Sequence, residues 1–272
     1  MRARKPKHYH EKLIEYGDVV ESNPGSIRGK WRETWMPGAR EVRLDLGCGK
    51  GSFTVKSAMA EPDVLFIGID YEEICISSAA GKAHDAGIHN AVFAIANADE
   101  IESMFSPAEL ELIYLNFCTP FTKGKKADER LTYVDRLMTY RKLLSDSGKI
   151  RFKTDSQPLF DFSLTQFELA GYVIQWQTRD LHADNPNEIE SDFESRLIQR
   201  GAKIHALLAS KGPEPESVEQ TAKLGLVYYL PENLDEMDYV PYGMEDTVAN
   251  MKNKRKKLEA RAKRHEHQGR QD

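Results

Sequence analysis

The sequence predicts an α/β fold, a largely parallel seven-stranded sheet with helices on both faces. Three observations point there. From residue 41 short apolar runs alternate with amphipathic segments, as in a parallel sheet covered on both sides. One run, Val42 to Leu46, ends in the glycine-rich turn Gly47-Cys48-Gly49-Lys50-Gly51 and leads directly into a helix-compatible segment. A second, Val64 to Ile69, is almost purely apolar and stops at an acid, Asp70.

In chain order, residues 1–40 carry little periodicity and read as a basic N-terminal arm. It holds Arg2, Arg4, Lys5 and Lys7, then Arg28, Lys30 and Arg32, with a turn at Asn23-Pro24-Gly25. Trp31 and Trp35 stand four apart, on one face of a short helix, and would staple the arm to the domain. Strands follow at Val42–Asp45, Val64–Asp70, Ala91–Ala96, Leu110–Phe117, Lys149–Thr154 and Tyr172–Thr178, with a last one that includes Lys203–Leu208. Helices fall between them at Ser52–Ala60, Glu72–Ala86, Tyr133–Leu144 and Pro158–Ala170. The domain so built spans 41–210. A Lys-Gly-Pro-Glu-Pro linker then opens an extension, 211–272, that is first acidic and then basic, with a helical tail over 248–268.

Composition bounds the function. Apolar residues make up 40% and charged residues 30%, and no run approaches the ~20 apolar residues of a membrane span. The basic start has no apolar segment behind it, so no secretory signal is expected. Cys48, Cys75 and Cys118 are scattered without metal-like spacing, so the expectation is a reduced, cytoplasmic protein without a metal. A net charge of −5 argues by itself against a nucleic-acid partner. The charge is segregated, however. Lys123, Lys125 and Lys126 cluster mid-chain, and Lys252, Lys254, Arg255, Lys256, Lys257, Arg261, Lys263 and Arg264 crowd the tail. Such patches bind phosphates whatever the total.

Strand, glycine turn and helix form the opening of a Rossmann-type unit, where missing side chains let a ligand approach the backbone. The spacing is G-x-G-x-G, not the G-x-G-x-x-G of dinucleotide sites, and Asp45 precedes the first glycine by two residues. A carboxylate there repels a pyrophosphate and attracts a cationic amino-acid moiety, such as that of S-adenosylmethionine. Asp70 lies about 20 residues past the glycines, where a carboxylate grips a ribose diol. Gly47, Gly49, Gly51, Asp45 and Asp70 are thus candidate cofactor residues, and an NAD oxidoreductase is disfavoured.

Several separated motifs resemble the bacterial tRNA (guanine-N7)-methyltransferases, class I enzymes with a Rossmann-like fold that use S-adenosylmethionine. They are the opening Met-Arg-x-Arg, Asn23-Pro24 with Gly29-Lys30-Trp31, Asp45 to Gly51, Ile67 to Asp70, Tyr114 to Phe117, Phe152 to Asp155, and Asp180-Leu181-His182. The likeness runs to about Leu208 and excludes the extension. It implies methylation of a variable-loop guanine, position 46, in tRNA, by a monomer or homodimer. By position it implies cofactor contacts at Asp45, Asp70, Asn97 and Thr119. It also implies substrate contacts at Lys123, Asp155 and the segment Ser191, Asp192, Phe193 and Glu194. Spacing alone equally allows Ser191 to cap a helix with Glu194 completing a capping box, and Lys123 to be a solvated loop charge.

The loop after Phe117 departs from the family pattern Ser-Asp-Pro-Trp-Pro-Lys. Here it reads Cys118-Thr119-Pro120-Phe121-Thr122-Lys123, so Thr119 stands where the family carries its catalytic aspartate. The basic triplet that follows in the family is Asp128-Glu129-Arg130 here. Guanine N7 already offers a lone pair and needs no proton removed, so positioning can carry much of the catalysis. Three readings stay open: an active tRNA methyltransferase with a divergent loop, a methyltransferase of another substrate, or a cofactor-binding relative that only binds RNA.

Overall fold

The first strand, β1 (Glu41–Leu46), lies at the centre and makes parallel ladders on both edges. On one side is β2 (Val64–Asp70) and beyond it β3 (Ala91–Ile95). On the other are β4 (Leu110–Asn116) and β5 (Leu144–Thr154), also parallel. The last strand, β7 (His205–Lys211), enters antiparallel between β5 and β6 (Tyr172–Thr178). The order is therefore β3-β2-β1-β4-β5-β7-β6, seven strands, all parallel but β7. This computed structural model describes residues 9–268 and the side chains of 10–258. The expected basic cluster Arg2, Arg4, Lys5 and Lys7, the Met-Arg-x-Arg match and the side chains of Arg261, Lys263 and Arg264 lie outside the described residues.

Period-two alternation divides the core. Along β2, Leu65, Ile67 and Ile69 face one side, with Leu137 and Tyr140 of α6 (Val134–Leu143) and Phe160 and Phe167 of α7 (Gln157–Leu169). Val64 and Phe66 face the other, with Val55 and Ala58 of α3 (Ser52–Ala60) and Ile76, Ala79 and Ala83 of α4 (Glu73–Asp85). Being buried on both faces, β2 reads as a continuous apolar run, which is why its limits were legible in the sequence.

Two strands differ from expectation by more than one residue at a limit. β5 begins at Leu144 and not Lys149, because Leu144 pairs with Leu110 across a register shift despite the turn-like Ser-Asp-Ser-Gly that follows. β7 starts later, at His205, because the Ile204 carbonyl already accepts from Leu181 N at 2.8 Å. The arm is more ordered than its composition suggests. It contains α1 (Tyr9–Glu15) and α2 (Trp31–Trp35), and Val20 forms a parallel bridge to Phe93 at the edge of β3. Trp31 is fully buried, stacks on Phe105 and donates from Nε1 to the Met104 carbonyl at 2.9 Å. Three short helices follow: α5 (Ile101–Met104), α8 (Leu181–Asp184) and α9 (Asp192–Ile198). The tail forms α10 (Glu245–Gln268), which starts three residues before the expected 248.

Candidate functional site

The chain leaves β1 toward β2 in one direction and β4 toward β5 in the other, so the crevice at their carboxyl ends is the topological switch point where ligands bind. Gly47, Gly49 and Gly51 hold φ values of 82°, 53° and 70°, a region that side chains disfavour. At Gly51 packing adds a second requirement, since a Cβ would fall 2.4 Å from the Ala79 Cβ. The turn directs Gly49 N onto Asp70 Oδ2 at 3.0 Å, and Glu72 N donates to Oδ1 at 2.9 Å. Burial raises the pKa of this carboxyl.

Asp70, Gly47 and Asn97 line a cavity of about 730 Å³. Asn97 caps the short helix at Ala98–Glu100 through Asp99 N, in a capping box with Glu100, and keeps its side-chain amide for other partners. Asp45 is 2% exposed and does not line the cavity. Its carboxylate accepts from Thr54 Oγ1 at 2.6 Å and from Asn116 Nδ2 at 3.3 Å, and burial pushes it up to about 6. Asn116 does line the cavity, and its buried Oδ1 has no hydrogen-bond partner among the described residues. Asp45 thus meets the cavity through Asn116, an acceptor the sequence reading did not single out.

A second cavity, about 380 Å³, adjoins the first and shares Phe117, Cys118, Thr119, Phe121 and Tyr242 with it. Thr119 is exposed where the two meet. The loop is held under strain: Phe117 and Phe121 have φ of 52° and 38°, which bulky side chains rarely adopt. Lys123, Lys125, Lys126 and Asp155 line the second cavity. Asp155 is buried, with its pKa raised by that burial, and Oδ2 accepts from Tyr239 Oη at 2.7 Å and Tyr242 N at 2.8 Å. Both partners belong to the extension.

The 191–194 segment is divided. Ser191 and Glu194 form the capping box of α9: Ser191 Oγ accepts from Glu194 N, and Glu194 Oε2 from Ser191 N. Glu194 is fully buried between Lys153 Nζ (2.8 Å) and His182 Nε2 (2.9 Å). Asp192 pairs with Lys56 and Lys82. Only Phe193 reaches the cavity-lining aromatics, packing edge-on against Phe117 and Tyr242 at 5.7 and 5.1 Å. Ser191, Asp192 and Glu194 line neither cavity.

The divergent loop is anchored from behind by Arg130. It is fully buried and donates to the Pro120, Phe121 and Leu224 carbonyls, with its guanidinium 4.3 Å from the Phe162 ring. Among the described residues no carboxylate pairs with it, and burial lowers its pKa to about 10. Leu226 N bonds the Thr122 carbonyl and Thr247 Oγ1 bonds Thr122 Oγ1. The extension therefore packs against the loop. Asn116 lies within the Tyr114–Phe117 motif without a role being legible there, and Tyr239 and Tyr242 gain theirs only from their positions in space.

This strand order, with a glycine turn, a carboxylate after β2 and a connected second cavity, defines a class I S-adenosylmethionine-dependent methyltransferase. The comparisons agree. Residues 39–207 match the family model described as "Putative methyltransferase". A tRNA (guanine-N(7)-)-methyltransferase of Lactococcus lactis subsp. cremoris is 33% identical over 217 residues, 79% of this chain and 100% of the relative. One from Streptococcus suis is 34% identical over 210 residues, 77% of this chain and 99% of the relative. The chain belongs to the tRNA (guanine-N7)-methyltransferase family, whose methyl donor is S-adenosylmethionine. Among solved structures, the 16S rRNA methyltransferase KamB is similar in fold, with a TM-score of 0.53 at 15% identity, covering 66% of this chain and 92% of that one.

Proposed function

We propose that this protein transfers the methyl group of S-adenosylmethionine to N7 of a tRNA guanine, at variable-loop position 46. One observation carries the reading: in a chain related along nearly the whole length of tRNA (guanine-N7)-methyltransferases, a cavity of cofactor size opens onto a second, lysine-lined one at Thr119. Asp70 accepts the ribose diol, Asn97 meets the adenine edge, and Gly47 lets the ligand approach the backbone. The partnerless Asn116 Oδ1, oriented by Asp45, accepts from the cationic amino-acid end. The cofactor supplies an electrophilic methyl on sulfur. The chain's own task is to align N7 with it and exclude water, so no residue need act as a base.

Lys123, Lys125 and Lys126 meet the tRNA backbone beside Thr119, Thr119 meets the base, and Phe121 and Phe193 support the aromatic wall. Ser191, Asp192 and Glu194 act from behind that wall. The oligomeric state is proposed to be a monomer or a homodimer. Residues 1–40 act as an arm, 41–210 as the catalytic domain and 211–272 as an extension. Among the described residues no helix is long and apolar enough to cross a membrane, and we place the reaction in the cytoplasm.

Incubation of the protein with S-adenosylmethionine and unmodified tRNA, followed by mass-spectrometric nucleoside analysis, should give 7-methylguanosine at one site. Methylation of another nucleoside would establish a shifted substrate, and cofactor binding without product an RNA-binding relative. For the cofactor, calorimetry should show binding of S-adenosylmethionine and not of NAD. Asp70→Ala should weaken it at least about tenfold, as expected for lost charged hydrogen bonds. Unchanged affinity would remove Asp70 from the site.

The tail is testable separately. Val248 is buried, Lys252 pairs with Asp235 and Arg255 donates to the Glu232 carbonyl, so truncation is best placed after residue 255, beyond the packed part of α10. Loss of 256–272 should weaken tRNA binding and flatten the slope of log affinity against log salt by about one for each phosphate no longer neutralised. A solvated helix without a partner predicts no change in either.

A further inference from the structure

We propose that Tyr242, from the extension that the family likeness does not cover, is the platform on which the substrate guanine stacks, with Asp155 as the positioning residue that fixes it. The proposal rests on the guanine-methylating reading above. Tyr242 lines both cavities, as Thr119 does, so its ring borders the place where cofactor and base must meet.

Tyr242 is 51% exposed although the backbone around it is locked. Tyr242 N is held by Asp155, whose same oxygen accepts from Tyr239 Oη. Gly243 adopts a φ of 76°, which a side chain would strain, and a Cβ there would sit a tight 3.3 Å from the Pro120 ring carbons. Met244 is fully buried, with its sulfur accepting from Ser156 Oγ. The Tyr242 and Phe193 rings meet at 81° with centroids 5.1 Å apart. A half-exposed aromatic residue is thus held in a fixed position, where stacking a base costs little conformational entropy.

Phe121 is the rival platform, since it borders both cavities and stands where the family carries tryptophan. Its ring already has the Lys126 ammonium 5.5 Å from the centroid. A second cation above the same face is disfavoured, and the methylated base is a cation. In the reaction the N7 lone pair forms the new N–C bond while the S–C bond electrons return to sulfur. No proton moves, and the positive charge passes from sulfur to the guanine ring. A phenol face interacts more strongly with the ring as that charge develops, so Tyr242 favours the transition state over the ground state.

The test uses the full chain and four variants: Tyr242→Ala, Tyr242→Phe, Asp155→Asn and Asp155→Ala. The readouts are kcat/KM for an unmodified tRNA transcript at saturating cofactor, and the calorimetric Kd for S-adenosylhomocysteine. Tyr242→Ala should lower kcat/KM by about 10- to 100-fold, the range of a lost base stack, with cofactor affinity unchanged. Tyr242→Phe should stay near the wild type. Asp155→Asn keeps an acceptor for both donors and should resemble the wild type, whereas Asp155→Ala should follow Tyr242→Ala. An unchanged kcat/KM in Tyr242→Ala, or an equal loss of cofactor affinity, overturns the proposal. If the wild type methylates no tRNA, the functional reading fails. The platform is then judged by tRNA binding to the S-adenosylhomocysteine-loaded protein: weaker binding by Tyr242→Ala supports it, and equal binding overturns it.

Discussion

Glu194→Ala should destabilise the protein by about 3–5 kcal/mol, the usual cost of leaving a buried charge without its partner. Lys153 is fully buried, and without Glu194 it is left with the Ile189 carbonyl at 3.2 Å, the longer Glu188 pair at 3.8 Å and the Phe53 ring face at 4.9 Å. The same substitution takes the partner of His182 and half of the α9 capping box. In thermal unfolding the midpoint should fall by about 10 °C. The double variant Lys153→Met, Glu194→Leu should recover much of that loss, because removing both charges also removes their desolvation penalty. If Glu194 instead contacts tRNA directly, Glu194→Ala should keep its melting temperature and lose tRNA affinity. Unfolding and binding measured on one preparation distinguish the two.

Thr119→Asp should raise the methylation rate by about ten- to a hundredfold, with cofactor affinity unchanged. The guanine presents its N1–H and N2–H2 donors where Thr119 offers only a hydroxyl oxygen. A charged acceptor in place of a neutral one is worth roughly 1.5–3 kcal/mol, which sets the rate gain. Lys123, Lys125 and Lys126 line the same cavity, so the new carboxylate would be kept ionised. Thr119 is exposed, so the change disturbs no buried packing. Single-turnover kinetics at saturating cofactor read the effect. Abolished methylation in the variant would mean that Thr119 is adapted to a different target base.

What could be read from the sequence depended on how locally each feature is encoded. The turn from Gly47 to Gly51 and the acid Asp70 are contiguous with the strands that position them, so their place at the switch point followed from order alone. Asp45 was legible as an acid two residues before the glycine turn, but not its orientation: Thr54 and Asn116 turn it inward, away from the cavity lining, a choice made by residues on two other elements. The spacing of Ser191 and Glu194 fitted a helix cap, and the cap is formed. The burial of Glu194 against Lys153 was invisible, because that pairing joins α9 to β5. Tyr239 and Tyr242 gave no signal, since they lie in an acidic stretch without periodicity and gain their place only by reaching back to Asp155.

The guanidinium of Arg130 also bears on how the protein is made. Its bonds join the carbonyls of Pro120 and Phe121 to that of Leu224, across a stretch of chain longer than many whole strands and helices together. Domains begin to fold while still attached to the ribosome. A nascent chain that has emerged only as far as β7 has every strand of its sheet, yet its Arg130 lacks the acceptor that residue 224 will bring. Burying that cation with fewer acceptors is costly. The loop around Thr119 should therefore take its working shape late, after the sheet has closed.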